Sequence, residues 1–370
     1  VAFAWRLRGP LDRQRLEASW RKVVDRHEIL RTWVELLDGE PFQASGPLGP
    51  WSLPWQELGP AETTLEAVAE RLTAAARVRF ELTRVPLWRV EGFGLGESDH
   101  LLLVTVHHVL IDEWSLRLIF SDWAAAYAAE GSDRNWLPLP RQFADYAVWH
   151  RARLERPEAD RHREFWRTHL AGASFRWSLP EDRDVSAPTG AGARITVTIP
   201  PEVRRACEQL GRQAQTTPFV AALSAYFGML SRWSGEGEGV IGTPLSQRSE
   251  PGLESMAGLL IHTIPLRLKS RPGQSVQSVV EKVRDQVHES FSHGELPFTQ
   301  IVKAVGPARR DGARVPLYNA MFVLLDEPWP DLQLPGLAAQ PWPVETRTHK
   351  VDLILFLTDN GVGGWQAELE

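Results

Sequence analysis

The chain has 370 residues, of which 43% are hydrophobic and 24% charged, and its formal net charge is −6. This balance is typical of a soluble globular protein, and it provides no basic surface for nucleic acid. The single cysteine rules out an intramolecular disulfide, and no apolar run reaches the roughly 18 residues that a membrane span needs. We therefore expect a cytoplasmic protein of two domains, with neither nucleic-acid nor membrane partners.

Hydrophobic periodicity predicts the helices and strands of the first half of the chain. An opening strand, VAFAWRLRG, precedes a helix over 11–30 that Asp12 can cap. A second helix is predicted over 62–78. The elements that follow are the strands PLWRVEGF and HLLLVTVHH, a helix over 115–128 and a charged helix over 145–170.

A loss of periodicity predicts the domain boundary. The stretch SLPEDRDVSAPTGAGA has no regular pattern, so we predict one domain over 1–172 and another over 173–370. The strands expected after it are ARITVTIP, GVIGTP, LLIHTIPLRL, NAMFVLL, VDLILFL and GGWQAELE, and the helices cover 202–215, 218–233 and SVQSVVEKVRDQVHESF. Strands mixed with helices in both halves predict two α/β sandwiches of related design. Both chain ends lie inside predicted strands, as in a piece of a larger polypeptide.

Two adjacent histidines, His107 and His108, stand at the end of the predicted strand HLLLVTVHH. Side chains alternate between the two faces of a strand, so only one histidine can face a shared cavity if the strand is regular to its end. That geometry disfavours a shared metal ion, and the chain has no other cluster with zinc-like spacing. We predict that no metal is bound. Two partly buried histidines that bond only the backbone are the simplest alternative.

Nucleophile and nucleotide chemistry have weak support. The chain has no GxSxG nucleophile elbow, and Ser115 stands where a helix N-cap is expected. The stretch GEGVIG precedes Thr-Pro instead of opening a helix, and no phosphate-binding GxxxxGK loop is present. The remaining possibility is acid–base chemistry that forms no covalent intermediate with the enzyme.

Asp112 follows His108 by four residues and suggests how the imidazole is held. A neutral imidazole can accept a proton from an attacking amine or alcohol, or hold that nucleophile by a hydrogen bond. A carboxylate turned inward against an arginine would fix the loop and position the ring. The candidates for this arginine are Arg26 and Arg31 on the first predicted helix and Arg267 at the end of a strand.

Several stretches together resemble a known family. VHHVLIDEWS resembles the HHxxxDG motif of nonribosomal peptide synthetase condensation domains, which belong to the chloramphenicol-acetyltransferase-like superfamily. RHEILRTWV and FADYAVW are similar to two further motifs of these domains. VIGTPLSQR followed by LLIHTIPLR, then LPFTQIV and RVPLYNAMF, are similar to the remaining motifs in family order. The resemblance covers essentially the whole chain.

The resemblance implies an α/β fold of two chloramphenicol-acetyltransferase-like sandwich lobes that form a V-shaped pseudo-dimer with a central tunnel. Its implied partners are an upstream donor and a downstream acceptor peptidyl carrier protein and the adjacent synthetase domains. No intrinsic cofactor is implied, because phosphopantetheine arrives on the carriers. The acceptor amine would attack the donor thioester beside His108, with His107 in support and Asp112 in a structural salt bridge. The positions implied for the substrate tunnel are Glu113, Trp114, Ser115, Trp149, His262 and Thr263.

Departures from the family motifs leave alternatives open. Glu113 replaces the usual Gly, and we hypothesise that its carboxylate narrows or polarises the acceptor side and helps to select the incoming amine. A solvated carboxylate without that role is the alternative, and His262 replaces the family's Asn. Peptide-bond formation is the favoured function. Epimerisation of a carrier-bound residue, ester formation with a free acceptor and a catalytically silent recruitment platform are the alternatives.

Overall fold

The protein is described by a computed structural model over residues 1–129, 138–180, 191–306, 315–325 and 332–370. The chain forms two compact units, each assembled from three segments. The segments of unit 1 are Val1–Arg151, Arg248–Leu260 and Pro330–Thr346, and those of unit 2 are Ala152–Gln247, Ile261–Trp329 and Arg347–Glu370.

These units differ from the continuous domains expected at 1–172 and 173–370. The first segment of unit 1 ends at Arg151, and the unit also contains 248–260 and 330–346 from later in the chain. A loss of periodicity shows where regular structure stops, but it cannot show which distant segments pack together. Residues 181–190 of the aperiodic stretch lie outside the described residues.

The described segments contain helices and strands mixed along the chain. The helices are α1 (Arg13–Arg26), α2 (Leu65–Arg77), α3 (Glu113–Ala128), α4 (Phe143–Leu154), α5 (Glu158–His169), α6 (Pro201–Gln213), α7 (Pro218–Ser234), α8 (Val276–Ser292) and α9 (Phe298–Val305). The strands are β1 (Ala2–Arg8), β2 (Thr32–Leu37), β3 (Glu40–Ser45), β4 (Trp55–Glu57), β5 (Trp88–Gly96), β6 (Asp99–Val106), β7 (Ile195–Ile199), β8 (Glu238–Ser246), β9 (Ile261–Lys269), β10 (Ala320–Leu325), β11 (Ala338–Trp342), β12 (Leu353–Asp359) and β13 (Trp365–Leu369). Within these described segments, every helix is too short or too polar to cross a membrane.

Two predicted helices are shorter in the structure. The first, expected over 11–30, begins after the N-cap Asp12 as expected but ends at Arg26, because the backbone of the following residue, His27, is extended. The helix expected over 145–170 is divided into α4 and α5, and Pro157 precedes α5. Proline lacks the N–H that a continuous helix needs and restricts the residue before it, so one helix cannot run through this position.

Unit 1 is built on a five-stranded sheet in the order β11-β1-β6-β5-β4. The central strand β6 is antiparallel to β1 and β5, with Ala2 opposite Thr105 and Trp88 opposite Val106. Every residue of β6 after Asp99 is buried, because both of its faces are covered. Side chains on one face join the core formed with α1 and α3, and those on the other join a smaller cluster with α2.

Three tryptophans join α1, α3 and the sheet. The ring centroid of Trp20 lies 5.1 Å from Trp88 and 4.6 Å from Trp123. The indole N–H of Trp88 donates to the Leu30 carbonyl at 2.6 Å, and that of Trp123 donates to the Ser19 hydroxyl at 3.0 Å. Trp88 and Trp123 are thus buried aromatic groups with satisfied N–H groups, which stabilise a core strongly, whereas the indole N–H of Trp20 is buried without a partner among the residues that the structure describes. They fix α3, which begins directly after the His-His-Asp motif.

Unit 2 contains a six-stranded mixed sheet in the order β7-β13-β12-β10-β8-β9. β10 runs parallel to β12 and to β8, whereas the other neighbouring pairs are antiparallel. Apolar residues of α7 and α8 pack with the sheet in one core. Trp177 lies in this core and donates from its indole N–H to the Val240 carbonyl at 3.0 Å.

A cluster of three histidines lies between α5 and the end of α8 in unit 2. The Nδ1 atoms of His162 and His293 are 3.0 Å apart, so one ring must keep an unprotonated nitrogen for the other to donate to. The ring of Phe165 stacks on His293 at 3.8 Å and on His169 at 4.8 Å. Burial is the main cause that lowers the pKa of all three histidines below the ordinary value, and Arg161 adds to the effect on His162 and His293.

These lowered pKa values predict acid sensitivity of unit 2. The unfolded chain takes up protons near the ordinary histidine pKa of about 6.5, whereas the folded cluster does so only at lower pH. The unfolded state therefore binds more protons below about pH 6.5, and the free energy of unfolding falls as the pH decreases through this range. The measurement is the urea midpoint of unit 2 between about pH 7.5 and about pH 5.

The variant His293→Phe keeps a ring on Phe165 but removes one titrating group, so its midpoint should depend less on pH. His288→Phe on the exposed surface of α8 is the matched control and should behave as the wild type does. Parallel pH dependence in His293→Phe and the wild type would contradict the assignment.

Candidate active site

Both histidines of the motif lie in one turn after β6. The strand ends at Val106, and the turn runs from His107 to Ile111. The condition under which strand alternation would separate the two side chains is therefore not met, since neither histidine belongs to the strand. The N–H groups of Leu110 and Ile111 donate to the carbonyls of His107 and His108 at 3.1 and 3.4 Å, which closes the turn.

His108 is half-buried, and its Nδ1 lies 2.8 Å from the carbonyl oxygen of Ile111. A carbonyl oxygen only accepts hydrogen bonds, so Nδ1 must carry the hydrogen and donate it. In the neutral ring, Nε2 then has no hydrogen and presents a lone pair. The turn thereby makes Nε2 of His108 the nitrogen that can accept a proton or a hydrogen bond.

His107 has the opposite arrangement. Its Nδ1 accepts a hydrogen bond from the N–H of Val109 at 3.2 Å, so Nε2 carries the hydrogen in the neutral ring. Its backbone N–H donates to the Leu87 carbonyl at 2.8 Å, and its ring meets Phe80 edge-on at 6.0 Å. These contacts make His107 a support for the turn.

Asp112 is buried and is bonded on both carboxylate oxygens. It is the N-cap of α3, where Oδ1 accepts from the Ser115 N–H at 2.9 Å, and Oδ2 accepts from the Leu260 N–H at 2.9 Å. Arg248 binds the same carboxylate with two nitrogens, Nη1 at 2.6 Å from Oδ2 and Nη2 at 3.0 Å from Oδ1. The exposed fractions of the two side chains are 6% for Arg248 and 1% for Asp112. A carboxylate this deeply buried is tolerable only because its charge is compensated.

An arginine partner for Asp112 was expected from the sequence, but Arg248 takes this place and none of the three candidates does. Arg26 pairs with Asp122 at 2.8 Å, and Arg31 donates to the backbone carbonyl of Gly46 at 3.3 Å. Arg267 belongs to unit 2, where its Nε donates to Glu238 at 2.6 Å. Arg248 is the last residue of the stretch VIGTPLSQR, so the motif already contained the signal. What it lacked was any indication that this arginine belongs to the unit of the histidines.

Ser115 is the third residue of α3 and is fully buried. The expectation that it caps the helix is wrong, because the extended backbone of Asp112 places a carboxylate against the N–H of Ser115. The Ser115 hydroxyl instead contacts Gly258, whose N–H donates to it at 2.9 Å. A Cβ at position 258 would lie 2.0 Å from Cδ2 of Phe143, so the close approach requires glycine.

Glu113 and Trp114 form the first turn of α3. The Glu113 carboxylate accepts a hydrogen bond from Arg117 at 2.6 Å, with both side chains about one quarter exposed. Trp114 is 49% exposed, and its indole N–H donates to the Glu254 carbonyl at 2.7 Å. The negative charge of Glu113 is therefore partly balanced on its own helix, where the helix N-terminus also favours it.

The other positions expected in the tunnel lie apart in the chain. Trp149 is on α4, is 38% exposed and lies 5.7 Å from the ring of Tyr146. His262 and Thr263 are on β9 of unit 2, where Nδ1 of His262 lies 3.1 Å from the Gly294 carbonyl. Among the residues that the structure describes, no three or more His, Cys, Asp or Glu side chains form a group that could hold a metal ion.

Comparison with known proteins identifies the family. The model of the condensation domain family matches residues 1–350. The chain belongs to the condensation-domain family. The resemblance read from the motifs is thereby confirmed, and the mixed α/β architecture is that of solved condensation domains.

This condensation domain is 32% identical over 369 residues to malpinin synthetase of Mortierella alpina, covering 98% of the chain and 5% of the synthetase. It matches the X-domain of teicoplanin biosynthesis, solved in complex with OxyB, with a TM-score of 0.88 and 29% identity over 100% of this chain and 82% of that one. It matches the first condensation domain of the CDA synthetase with a TM-score of 0.77 and 20% identity, covering 100% of this chain and 86% of that one. The chain thus spans about one twentieth of the synthetase that it resembles.

The buried ion pair predicts a large stability effect in this condensation domain. Arg248→Met leaves the Asp112 carboxylate buried without a cation, which typically costs about 3–5 kcal/mol. The double variant Asp112→Asn/Arg248→Met removes that uncompensated charge and should regain most of the loss. Urea unfolding of the single and double variants measures both effects.

Arg84→Met is the matched control, because the Arg84–Glu81 pair is 78% and 60% exposed, and it should cost at most about 1 kcal/mol. If Arg248→Met were as mild as Arg84→Met, the pair would not stabilise the site.

Proposed function

We propose that this condensation domain forms an amide bond between two carrier-bound substrates. The observation that carries the proposal is the hydrogen bond from Nδ1 of His108 to the Ile111 carbonyl. It places the hydrogen on Nδ1 and makes Nε2 the acceptor nitrogen that amide formation requires for the attacking amine. A histidine whose Nε2 carried the hydrogen would lack this acceptor.

In this mechanism the acceptor amine attacks the carbonyl carbon of the donor thioester. A C–N bond forms, the C–S bond breaks, and the proton lost by the amine ends on the leaving thiol. Nε2 of His108 accepts a hydrogen bond from the amine N–H or removes its proton. A thioester is already activated, so most of the acceleration comes from holding the two reactants together. Phosphopantetheine belongs to the substrates, since each carrier presents its acyl group on such an arm.

The partners proposed for the reaction are an upstream donor carrier and a downstream acceptor carrier. Similarity to malpinin synthetase supports this proposal, because this chain corresponds to one small part of a much longer synthetase. Adjacent synthetase domains would supply both carriers.

A transfer assay tests the proposal. Wild-type domain is mixed with donor and acceptor carriers loaded with aminoacyl thioesters, and mass spectrometry follows the downstream carrier. The expected product is a longer acyl chain on that carrier, formed at least about 100-fold more slowly by His108→Ala. His288→Ala, on the exposed surface of α8, is the matched control and should retain the wild-type rate. Equal rates for His108→Ala and the wild type would refute the role of this ring, and a stereoisomer without chain growth would indicate epimerisation.

A second candidate function is recruitment of a partner protein without catalysis. The observation that favours it is the similarity to an X-domain solved in complex with OxyB. The same assay distinguishes the two functions, because a recruitment platform yields no longer chain with any loaded pair even when the wild-type domain is folded.

Glu113 replaces the Gly that is usual in the family motif, and we propose that it helps this domain to select its acceptor. Its carboxylate follows Asp112 directly and is paired with Arg117. We expect Glu113→Gly to raise the transfer rate of acceptors with acidic side chains relative to those with basic ones, because a nearby like charge is removed. Competition between two loaded acceptors measures this ratio.

The variant Glu113→Gln separates charge from size. If charge selects the acceptor, Gln should behave as Gly does, and if size does, Gln should behave as the wild type does. An acceptor preference that is the same in all three proteins would eliminate Glu113 as a selecting residue.

A further inference from the structure

The hydroxyl group of Ser115 lies at a junction of four polar groups. Ser115 has no exposed surface. Its Oγ accepts from the N–H of Gly258 at 2.9 Å and from Nη2 of Arg248 at 3.0 Å. It also lies 2.7 Å from Oδ1 of Asp112 and 2.7 Å from the carbonyl oxygen of Gly258. A single hydroxyl therefore connects the start of α3 with the segment 248–260.

The hydroxyl carries one hydrogen, so its donor bond is shared between two acceptors. Asp112 already accepts from the Ser115 N–H, from both Arg248 nitrogens and from the Leu260 N–H. The Gly258 carbonyl accepts from Nη2 of Arg248 at 3.4 Å, a longer distance. When its hydrogen points to Oδ1 of Asp112, the hydroxyl donates to that carboxylate while it accepts from Gly258 and Arg248, and so links it to segment 248–260.

The Asp112 carboxylate is one residue away from the carbonyl that holds His108. The Ile111 carbonyl accepts from Nδ1 of His108 at 2.8 Å, and Ile111 is 1% exposed. The orientation of that carbonyl depends on the backbone of Asp112, which is extended at its N-cap position. A change at the Asp112 carboxylate therefore reaches the imidazole through one peptide unit.

We infer that Ser115 is a positioning residue, whose hydroxyl fixes Asp112 so that the Ile111 carbonyl holds His108 with its hydrogen on Nδ1. Segment 248–260 thereby sets the tautomer of a histidine that is distant in sequence. This inference deepens the proposed function, because that tautomer makes Nε2 an acceptor for the amine. Ser115 does not itself contact the reacting atoms in this account.

The tautomer of His108 can be observed without any catalytic turnover. In a domain labelled with ¹⁵N-histidine at about pH 8.5, about two units above the ordinary histidine pKa, the two ring nitrogens give distinct signals for protonated and unprotonated states. Comparison with His108→Gln assigns the ring. The wild type should show a protonated Nδ1 and an unprotonated Nε2.

Ser115→Ala removes the hydroxyl, so the His108 signals should shift toward a mixture of both tautomers. The transfer rate at saturating acceptor should fall about 10- to 100-fold, the range found when a hydrogen-bond partner that orients a metal-binding histidine is removed. KM for the acceptor carrier should stay unchanged, since Ser115 is fully buried. Ser121→Ala is the matched control, an exposed serine on the same helix, and it should leave the tautomer and the rate unchanged.

Ser115→Cys keeps a weaker donor of similar size, and it should show an intermediate tautomer shift and rate if Ser115→Ala does not fold. If His108 kept its hydrogen on Nδ1 in both Ser115 variants, the inference would be overturned. If the Ser115 variants shift the tautomer of His108 but the wild-type domain forms no transfer product, the inference is supported and the proposed function is rejected.

Discussion

The carboxylate of Asp112 is buried inside unit 1 and needs a cation to balance its charge. Arg248 is that cation, and both terminal nitrogens of its guanidinium group donate to the carboxylate. The pair is nearly inaccessible to solvent, so its attraction is screened little. Because the two residues are 136 positions apart in the chain, their contact also joins the segment 248–260 to the segment that carries the histidines. The turn with the histidines, the start of α3 and the segment 248–260 all depend on this contact.

The chemistry of the turn comes from its backbone more than from its side chains. His107 accepts from one backbone N–H and His108 donates to one backbone carbonyl, so two adjacent identical residues have opposite tautomers. Backbone groups in a closed turn move little, and they are less easily displaced than long side chains. In the proposed function the substrate is an activated thioester, and such a substrate needs a fixed acceptor more than it needs a strong base.

Much of this arrangement could be predicted from the sequence, and the failures have physical causes. Helical spacing and the Asp12 cap predicted the start of α1, and the stretches PLWRVEGF and HLLLVTVHH predicted β5 and β6. The end of β6 was misplaced because a histidine pair after an apolar run has no local signal that distinguishes strand from turn. The partner of Asp112 was misassigned because tertiary packing decides which ion pairs form. The sequence does not show that residues 248–260 pack in unit 1 although the segment before them packs in unit 2.

In the proposed reaction, we expect Arg248 and Asp112 to act only by holding His108, and a double-mutant cycle on the transfer rate tests this most directly. The rates to compare are those of the wild type, Arg248→Met, His108→Ala and the double variant, at a temperature where all four are folded. We expect Arg248→Met to lower the transfer rate when His108 is present, but to lower it no further when His108 is already replaced by Ala. If the two losses multiplied in the double variant, Arg248 would act on the reaction independently of His108, and the account would be contradicted.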